Sequence, residues 1–143
     1  MRTVRQLLEA KGPEVHAIGP DAAVIDAIRL MAEKGIGALV VLAPGGRLAG
    51  MVSERDYARK IVLEGRSSRE TPVRDIMSPD VTTVRMDDTC QACMELVTER
   101  RVRHLPVVGD AGVVGLVSIG DLVKAVIEEQ QQELEHLQRY ISS

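Results

Sequence analysis

The chain has 143 residues, of which 45% are hydrophobic and 27% are charged, and its formal net charge is −3. This composition is typical of a globular protein, and the even mix of basic and acidic residues indicates no basic surface for nucleic acid or anionic lipid. Phe and Trp are absent, so the aromatic side chains on which bases most often stack are missing as well.

No apolar run approaches the length of a membrane span, and the first twenty residues lack the apolar segment of a signal peptide. Only two cysteines occur, Cys90 and Cys93, which are too few for a disulfide framework and fit a reducing compartment. We therefore expect a cytoplasmic protein with neither a membrane nor a nucleic acid as its partner.

The first half predicts the element order β-α-β-β-α. A short strand at residues 15–18 precedes a helix that Asp21 can cap, and this helix is predicted by apolar residues at helical spacing. A strand at residues 39–42, a glycine turn at residues 44–46 and a second strand ending at Ser53 follow, after which a closing helix begins. The apolar stripe of the first helix consists of Val24, Ala27, Ile28 and Met31.

The second half repeats this order 65 to 66 residues further along the chain. A strand at residues 81–84 precedes a helix that Asp87 can cap, then come a strand at residues 105–108 and another that ends at Ser118. The apolar stripe of this helix consists of Cys90, Cys93, Met94 and Val97. The chain is therefore a tandem duplication, and a lead-in segment precedes each copy, at residues 3–8 and 72–77.

The repeat predicts a first domain at residues 1–64, which includes its lead-in, a polar linker at 65–71 and a second domain at 72–128. A unit of about 60 residues is marginal alone because it buries a small share of its surface, so the two copies should pack face to face with pseudo-twofold symmetry. The remaining residues, 129–143, extend the last helix. Its apolar stripe exceeds what closing one small domain needs, which favours a homodimer; the stripe consists of Val123, Val126, Ile127, Leu134, Leu137 and Ile141.

Each second strand ends in the same pattern, "GMVSERD" at residues 50–56 and "GLVSIGD" at residues 115–121. A Ser followed three residues later by an acid predicts a capping box at a helix start, worth about 1 kcal/mol. The same spacing also suits a nucleotide, because the helix start attracts phosphate and a carboxylate can accept both hydroxyls of a ribose.

In these two motifs, in "VRDIM" at residues 73–77 and in "RRVRHLPVV" at residues 100–108, the chain resembles a pair of cystathionine-β-synthase (CBS) domains, also called a Bateman module. The resemblance covers residues 3 to 128. It implies an α+β fold of small sheets packed with helices, and a regulatory module that is not an enzyme and binds adenosine-containing ligands in clefts between the copies. Such pairs commonly form dimers, and with no effector domain in the chain the target would be a separate protein.

The resemblance also implies roles for residues of the two motifs. Asp56 and Asp121 would hold the ribose, while Ser53 and Ser118 would face the phosphates or the ribose. The apolar residues Met51 and Leu116 would lie against the nucleoside, and the basic residues Arg103 and His104 would point at the phosphates.

The two copies differ in their basic residues, which predicts two unequal sites. Gly37 and Ala38 stand where the second copy has its Arg-His pair, and Arg55 has Gly120 as its counterpart. One site would use Ser53, Arg55 and Asp56 with Arg103 and His104 nearby, and would prefer a phosphorylated nucleotide. The site around Ser118 and Asp121 would be less basic unless the Arg-His pair turned towards it.

The ligand could be AMP, the first choice, or ADP, ATP, NAD(H) or S-adenosylmethionine. With no Phe or Trp available, aliphatic walls at Ile36 and Val102 and the backbone near Val15 and Val81 would recognise the base.

Two alternatives stay open. Cys90 and Cys93 have C-x-x-C spacing at a helix start, which could indicate a thiol oxidoreductase, although both fall on the predicted core stripe. The pair could also be a purely structural dimerisation module. The sequence predicts no metal site, because no second pair of ligands has metal-site spacing.

Overall fold

A computed structural model describes residues 1–142. The chain forms two compact units. The first-repeat unit is Val15–Val81, and the second-repeat unit combines Met1–Glu14 with the chain from Thr82 onward. The elements in chain order are α1 (Val4–Lys11), β1 (Ala17–Ile18), α2 (Val24–Lys34), β2 (Ala38–Leu42), β3 (Leu48–Ser53), α3 (Glu54–Tyr57), a π-helical turn (Ala58–Val62), a 3₁₀ turn (Val73–Asp75), α4 (Cys90–Arg100), β4 (His104–Gly109), β5 (Gly112–Ser118) and α5 (Ile119–Ser142).

The first-repeat unit is built on a three-stranded sheet in which β2 lies between β1 and β3. Strands β1 and β2 are parallel, whereas β2 and β3 form an antiparallel hairpin. The predicted apolar stripe of α2 packs on this sheet, since Val24, Ala27 and Met31 belong to the buried core together with Leu39 and Val52. The predicted mixed α+β fold is thus confirmed for this half.

The second-repeat unit has the same plan with one strand fewer. Strands β4 and β5 form an antiparallel hairpin, and the stripe of α4, including Cys90 and Cys93, packs on it. The predicted strand at residues 81–84 is wrong, because only Val84 forms a bridge, which is parallel to Val107.

The physical reason for the lost strand lies in a proline. In the first repeat the Val40 amide donates to the His16 carbonyl at 3.3 Å, which extends the pairing of β1. The corresponding donor in the second repeat would be the amide of Pro106, and proline has no N–H. The parallel pairing therefore stops at the two hydrogen bonds that flank Val84, from Val84 to Pro106 at 3.0 Å and from Val108 to Val84 at 2.9 Å.

Each lead-in packs on the repeat that does not follow it in sequence. Helix α1 packs with the second repeat, where the Val4 amide donates to the Asp88 carbonyl at 2.8 Å. The lead-in of the second repeat packs with the first, where the Val73 amide donates to the Ala22 carbonyl at 2.9 Å. The boundaries of the compact units therefore differ from the predicted domain boundaries at residues 1–64, 65–71 and 72–128. The reason is that each lead-in forms its tertiary contacts with the distant copy.

This packing also corrects the predicted helix caps. Asp21 forms an ion pair with Arg74 and does not cap α2, whose N-cap is Ala23 with no side-chain hydrogen bond. The first amides of α2 instead donate to linker carbonyls, Val24 to Thr71 at 2.9 Å and Ile25 to Ser68 at 2.9 Å. Helix α4 is capped by Thr89, and Asp87 forms an ion pair with Arg5.

The lead-ins explain the glycine at the start of each repeated motif. A Cβ placed on Gly50 would lie 2.7 Å from the Ser78 carbonyl oxygen and 2.9 Å from the Met77 sulfur. A Cβ placed on Gly115 would lie 2.6 Å from Leu8 Cδ1. Glycine is needed at both positions because a lead-in crosses the strand too closely for a side chain.

Candidate functional site

The repeated motif of the first copy forms a capping box where β3 meets α3. The Ser53 amide donates to Asp56 Oδ2 at 2.9 Å, and the Asp56 amide donates to Ser53 Oγ at 3.2 Å. The Ser53 hydroxyl also donates to Asp56 Oδ2 at 3.1 Å. The side chain of Asp56 is 19% exposed, and Lys60 Nζ lies 3.9 Å from its other oxygen, Oδ1. The carboxylate is thus held in place but remains accessible.

The motif of the second copy has the same box and an added ion pair. The Ser118 amide donates to Asp121 Oδ2 at 2.9 Å, and the Asp121 amide donates to Ser118 Oγ at 3.1 Å. Lys11, the last residue of α1, donates to Asp121 Oδ2 and to the Leu116 carbonyl, both at 2.6 Å. Burial alone would raise the pKa of the Asp121 carboxyl, but the Lys11 ammonium and the Ser118 hydrogen bonds together hold this pKa below its usual value.

The predicted capping boxes are therefore confirmed in both motifs. A carboxylate in a capping box can still accept hydrogen bonds from a ligand. A carboxylate oxygen has two lone pairs, and the side chain of Asp121 is 26% exposed. Neither Asp56 nor Asp121 lies in a filled interior, since both side chains are only partly buried.

The predicted phosphate ligands lie beside the second motif. His104 pairs with Ser118 across the β4–β5 hairpin, and the Ile119 amide donates to the Arg103 carbonyl at 2.9 Å. Burial lowers the pKa of His104, the positive charges of Lys11 and Arg103 lower it further, and Asp121 opposes them. The imidazole is therefore neutral at pH 7 and can act as a hydrogen-bond donor or acceptor.

The first repeat has the same register without the Arg-His pair. Ala38 pairs with Ser53 as His104 pairs with Ser118, and the Glu54 amide donates to the Gly37 carbonyl at 3.0 Å. Gly37 and Ala38 thus occupy the structural positions of the Arg-His pair without any side chain that could bind phosphate.

The structure places the other predicted residues as follows. In the first-repeat unit, Met51 pairs with Val40 and forms a bridge to Ser78, Ile36 packs on the core and Arg55 is exposed. In the second-repeat unit, Leu116 pairs with Pro106 and Val102 packs on the core. Val15 and Val81 are half-buried and stand at the two ends of the first-repeat unit, so Val81 does not belong to the unit that contains Ser118.

The motif of Ser118 and Asp121 has basic residues within its own unit. Arg103 and His104 share a unit with Ser118 and Asp121, and the ammonium of Lys11 adds a third basic group there. Because α1 packs on the second copy, the Asp121 motif has the Lys11 ammonium beside it, whereas which of the two motifs is the more basic stays a prediction.

Sequence analysis missed Lys11 and Lys60. Lys60 could have been found, since it stands four residues after Asp56, the spacing of neighbours on one helix face. Lys11 could not, because its ion pair depends on the exchange of lead-ins and joins residues 110 positions apart.

The thiol alternative finds no support in the structure. Cys90 and Cys93 are 1% and 0% exposed, and the Cys90 thiol lies 3.6 Å from the Thr3 carbonyl oxygen. Burial, with the neighbouring Cys90 and Asp88, raises the pKa of Cys93 to about 11, and burial and Glu129 raise that of Cys90. Reactive thiols need the opposite, a lowered pKa and solvent access.

Within residues 1–142 no group of three or more His, Cys, Asp or Glu side chains could hold a metal ion. None of the helices in this described part is both long and apolar enough to cross a membrane.

Comparison with known proteins gives a consistent result. The chain is 42% identical over 147 residues to the "CBS domain-containing protein CBSX3, mitochondrial" of Arabidopsis thaliana, which covers 97% of this chain and 71% of that protein. It is 50% identical to a proposed signal-transduction protein with CBS domains from Burkholderia ambifaria, with a TM-score of 0.84 over 90% of this chain and 96% of that one. A further structure, CBSX2 in complex with AMP, is 26% identical with a TM-score of 0.76, over 91% of this chain and 99% of that one.

The model of the CBS domain family matches residues 4–63 and again residues 73–128. The two matches coincide with the two sequence repeats, and together they span most of the chain. The chain therefore belongs to the CBS domain family, as a tandem pair of CBS domains.

Proposed function

We propose that the protein is a regulatory module that binds an adenine nucleotide, with AMP as the first ligand to test. The observation that carries this proposal is the repeated strand end, where a Ser and an accessible carboxylate stand at a helix start in both units. The AMP complex of the similar protein CBSX2 supports the choice of ligand. ADP, ATP, NAD(H) and S-adenosylmethionine share the adenosine moiety and form the rest of the panel.

The chemistry of each motif suits a nucleoside phosphate. Asp56 or Asp121 can accept the ribose hydroxyls, and the hydroxyl of Ser53 or Ser118 can donate to a phosphate oxygen. Met51 or Leu116 offers an apolar side chain to the nucleoside. Near Ser118, the cations Lys11 and Arg103 offset phosphate charge, while in the first repeat the exposed Arg55 has this role.

We expect the output to be a shift between conformations, because a ligand that binds one state better increases its population. The proposed role is thus regulatory rather than catalytic, and its target would be a separate protein. Cytoplasmic location stays a prediction, since the Arabidopsis relative is mitochondrial by name.

Isothermal titration calorimetry with AMP and the rest of the panel tests the proposal. We expect binding in the micromolar range, weakened about tenfold or more by Asp56→Ala or Asp121→Ala, since each removes charged acceptors of the ribose. Asp110→Ala is the control, because this carboxylate is fully exposed at a hairpin turn. Absence of binding by the whole panel would favour the purely structural alternative.

We further propose that the module is a homodimer in which helix α5 packs on the α5 of a second copy. Six apolar side chains on one face of α5 are 39% to 80% exposed; they are Ile119, Val123, Ile127, Leu134, Leu137 and Ile141. An antiparallel pairing centred on Gln130 sets apolar residues opposite each other and places Lys124 of one copy near Glu135 of the other.

A further inference from the structure

Lys11 occupies two acceptors of the second-repeat motif at once. Its ammonium donates to Asp121 Oδ2 and to the Leu116 carbonyl, each at 2.6 Å. Both distances are short for N–H···O bonds, as expected of charge-assisted ones. The Lys11 side chain is 36% exposed, so water and ligands can reach it.

The same Oδ2 atom also accepts the Ser118 amide at 2.9 Å. A ribose whose hydroxyls donate to both oxygens of the carboxylate must therefore share Oδ2 with the Lys11 ammonium or displace the ammonium. Displacement without compensation is costly, because it removes a charge-assisted hydrogen bond. A neutral nucleoside supplies no new partner for the ammonium, whereas a phosphate does.

The first repeat lacks this arrangement. Lys60 Nζ lies 3.9 Å from Asp56 Oδ1, beyond hydrogen-bond distance, and donates instead to the Ile76 carbonyl at 3.0 Å. A ribose at Asp56 would thus meet no bound ammonium.

We propose that Lys11 is a specificity-determining residue of the Asp121 motif. Its ammonium prevents neutral nucleosides from binding the carboxylate, whereas a nucleotide can displace the ammonium because its phosphate then pairs with it. This inference rests on the proposed function and adds to it a reason for phosphate selectivity in one of the two motifs. It also makes α1, which precedes the first repeat in sequence, a part of the ligand site of the second.

The test compares adenosine with AMP by calorimetry. The Asp56→Ala protein is used as the background, so that only the Asp121 motif keeps its carboxylate. In this background we expect AMP to bind at least tenfold more tightly than adenosine. Lys11→Met keeps the length of the side chain but removes the ammonium. It should weaken the binding of AMP about tenfold and leave the binding of adenosine equally tight or tighter.

Two further variants make the result specific. Lys11→Arg keeps the positive charge and should keep the preference for AMP. Lys34→Met removes an exposed lysine at the end of α2 and should leave the ratio of the two dissociation constants unchanged. Thermal unfolding of each variant shows whether α1 remains folded onto the second repeat.

The outcomes separate the two proposals. Binding of AMP with the same AMP-to-adenosine ratio in Lys11→Met as in the background protein would overturn the role of Lys11 and leave the nucleotide function standing. Equal weakening of both ligands would also overturn it, since that indicates a structural effect. If the unsubstituted protein binds no adenine ligand, both proposals are overturned.

Discussion

Substitution of the glycine that opens each repeated motif tests the packing of the lead-ins. Gly50→Ala places a Cβ 2.7 Å from the Ser78 carbonyl oxygen, which belongs to the backbone. Gly115→Ala places a Cβ 2.6 Å from Leu8 Cδ1, the end of a side chain. The two substitutions are chemically identical, so the difference between their effects reports what each lead-in presents to the strand.

The size of the expected destabilisation depends on which atoms the added Cβ displaces. Overpacking a filled site costs about 1–3 kcal/mol. At Gly50 the displaced Ser78 backbone also forms two hydrogen bonds with Met51, at 3.0 and 2.8 Å, and each is worth about 1 kcal/mol. We therefore expect Gly50→Ala to lower the free energy of unfolding by about 3 kcal/mol. For Gly115→Ala, where Leu8 can change rotamer, we expect about 1–2 kcal/mol.

Urea unfolding followed by circular dichroism measures the free energy of unfolding of each variant. Gly19→Ala is the matched control, because a Cβ there has no neighbour within 4 Å and should change stability by less than about 0.5 kcal/mol. An effect of Gly115→Ala equal to or larger than that of Gly50→Ala would refute the distinction between a fixed backbone and a movable side chain. A neutral Gly50→Ala would refute the close crossing itself.

Two further outcomes follow from the structure. Because the pKa of Cys93 is about 11 and its side chain is buried, we expect a disulfide reagent at pH 8 to label neither Cys93 nor Cys90 in the native protein; labelling within minutes, as in urea, would contradict this. Leu134→Glu and Leu137→Glu place charges in the exposed apolar face of α5 and should turn a dimer into a monomer in light scattering coupled to gel filtration. Gln132→Glu, at a polar position of the same helix, should leave the dimer intact. A dimer that persists in all three variants would exclude α5 as the interface.

The duplication and most of the secondary structure were predictable from the sequence because they depend on local patterns. The apolar spacing of Val24, Ala27 and Met31 predicts α2, and all three residues are buried in the core. The capping boxes were predictable for the same reason, since Ser53 and Asp56 are three residues apart and interact through one helical turn.

The closing helix of the first repeat and the strand at residues 81–84 were less predictable. The helix ends in a π-helical turn at Ala58–Val62, and the strand is lost because Pro106 cannot donate the hydrogen bond that Val40 donates in the first repeat. The loss of this strand depends on one residue acting within an otherwise repeated pattern.

The sequence by itself determined the two repeats, their elements and the two Ser-Asp motifs, because helix periodicity, strand alternation and capping act over a few residues. Only the tertiary structure decided that each lead-in packs on the distant repeat and that Lys11 reaches Asp121. The same contacts explain why Gly50 and Gly115 must be glycine. These features are contacts between segments far apart in the chain, and packing selects them among alternatives that the local pattern leaves equal.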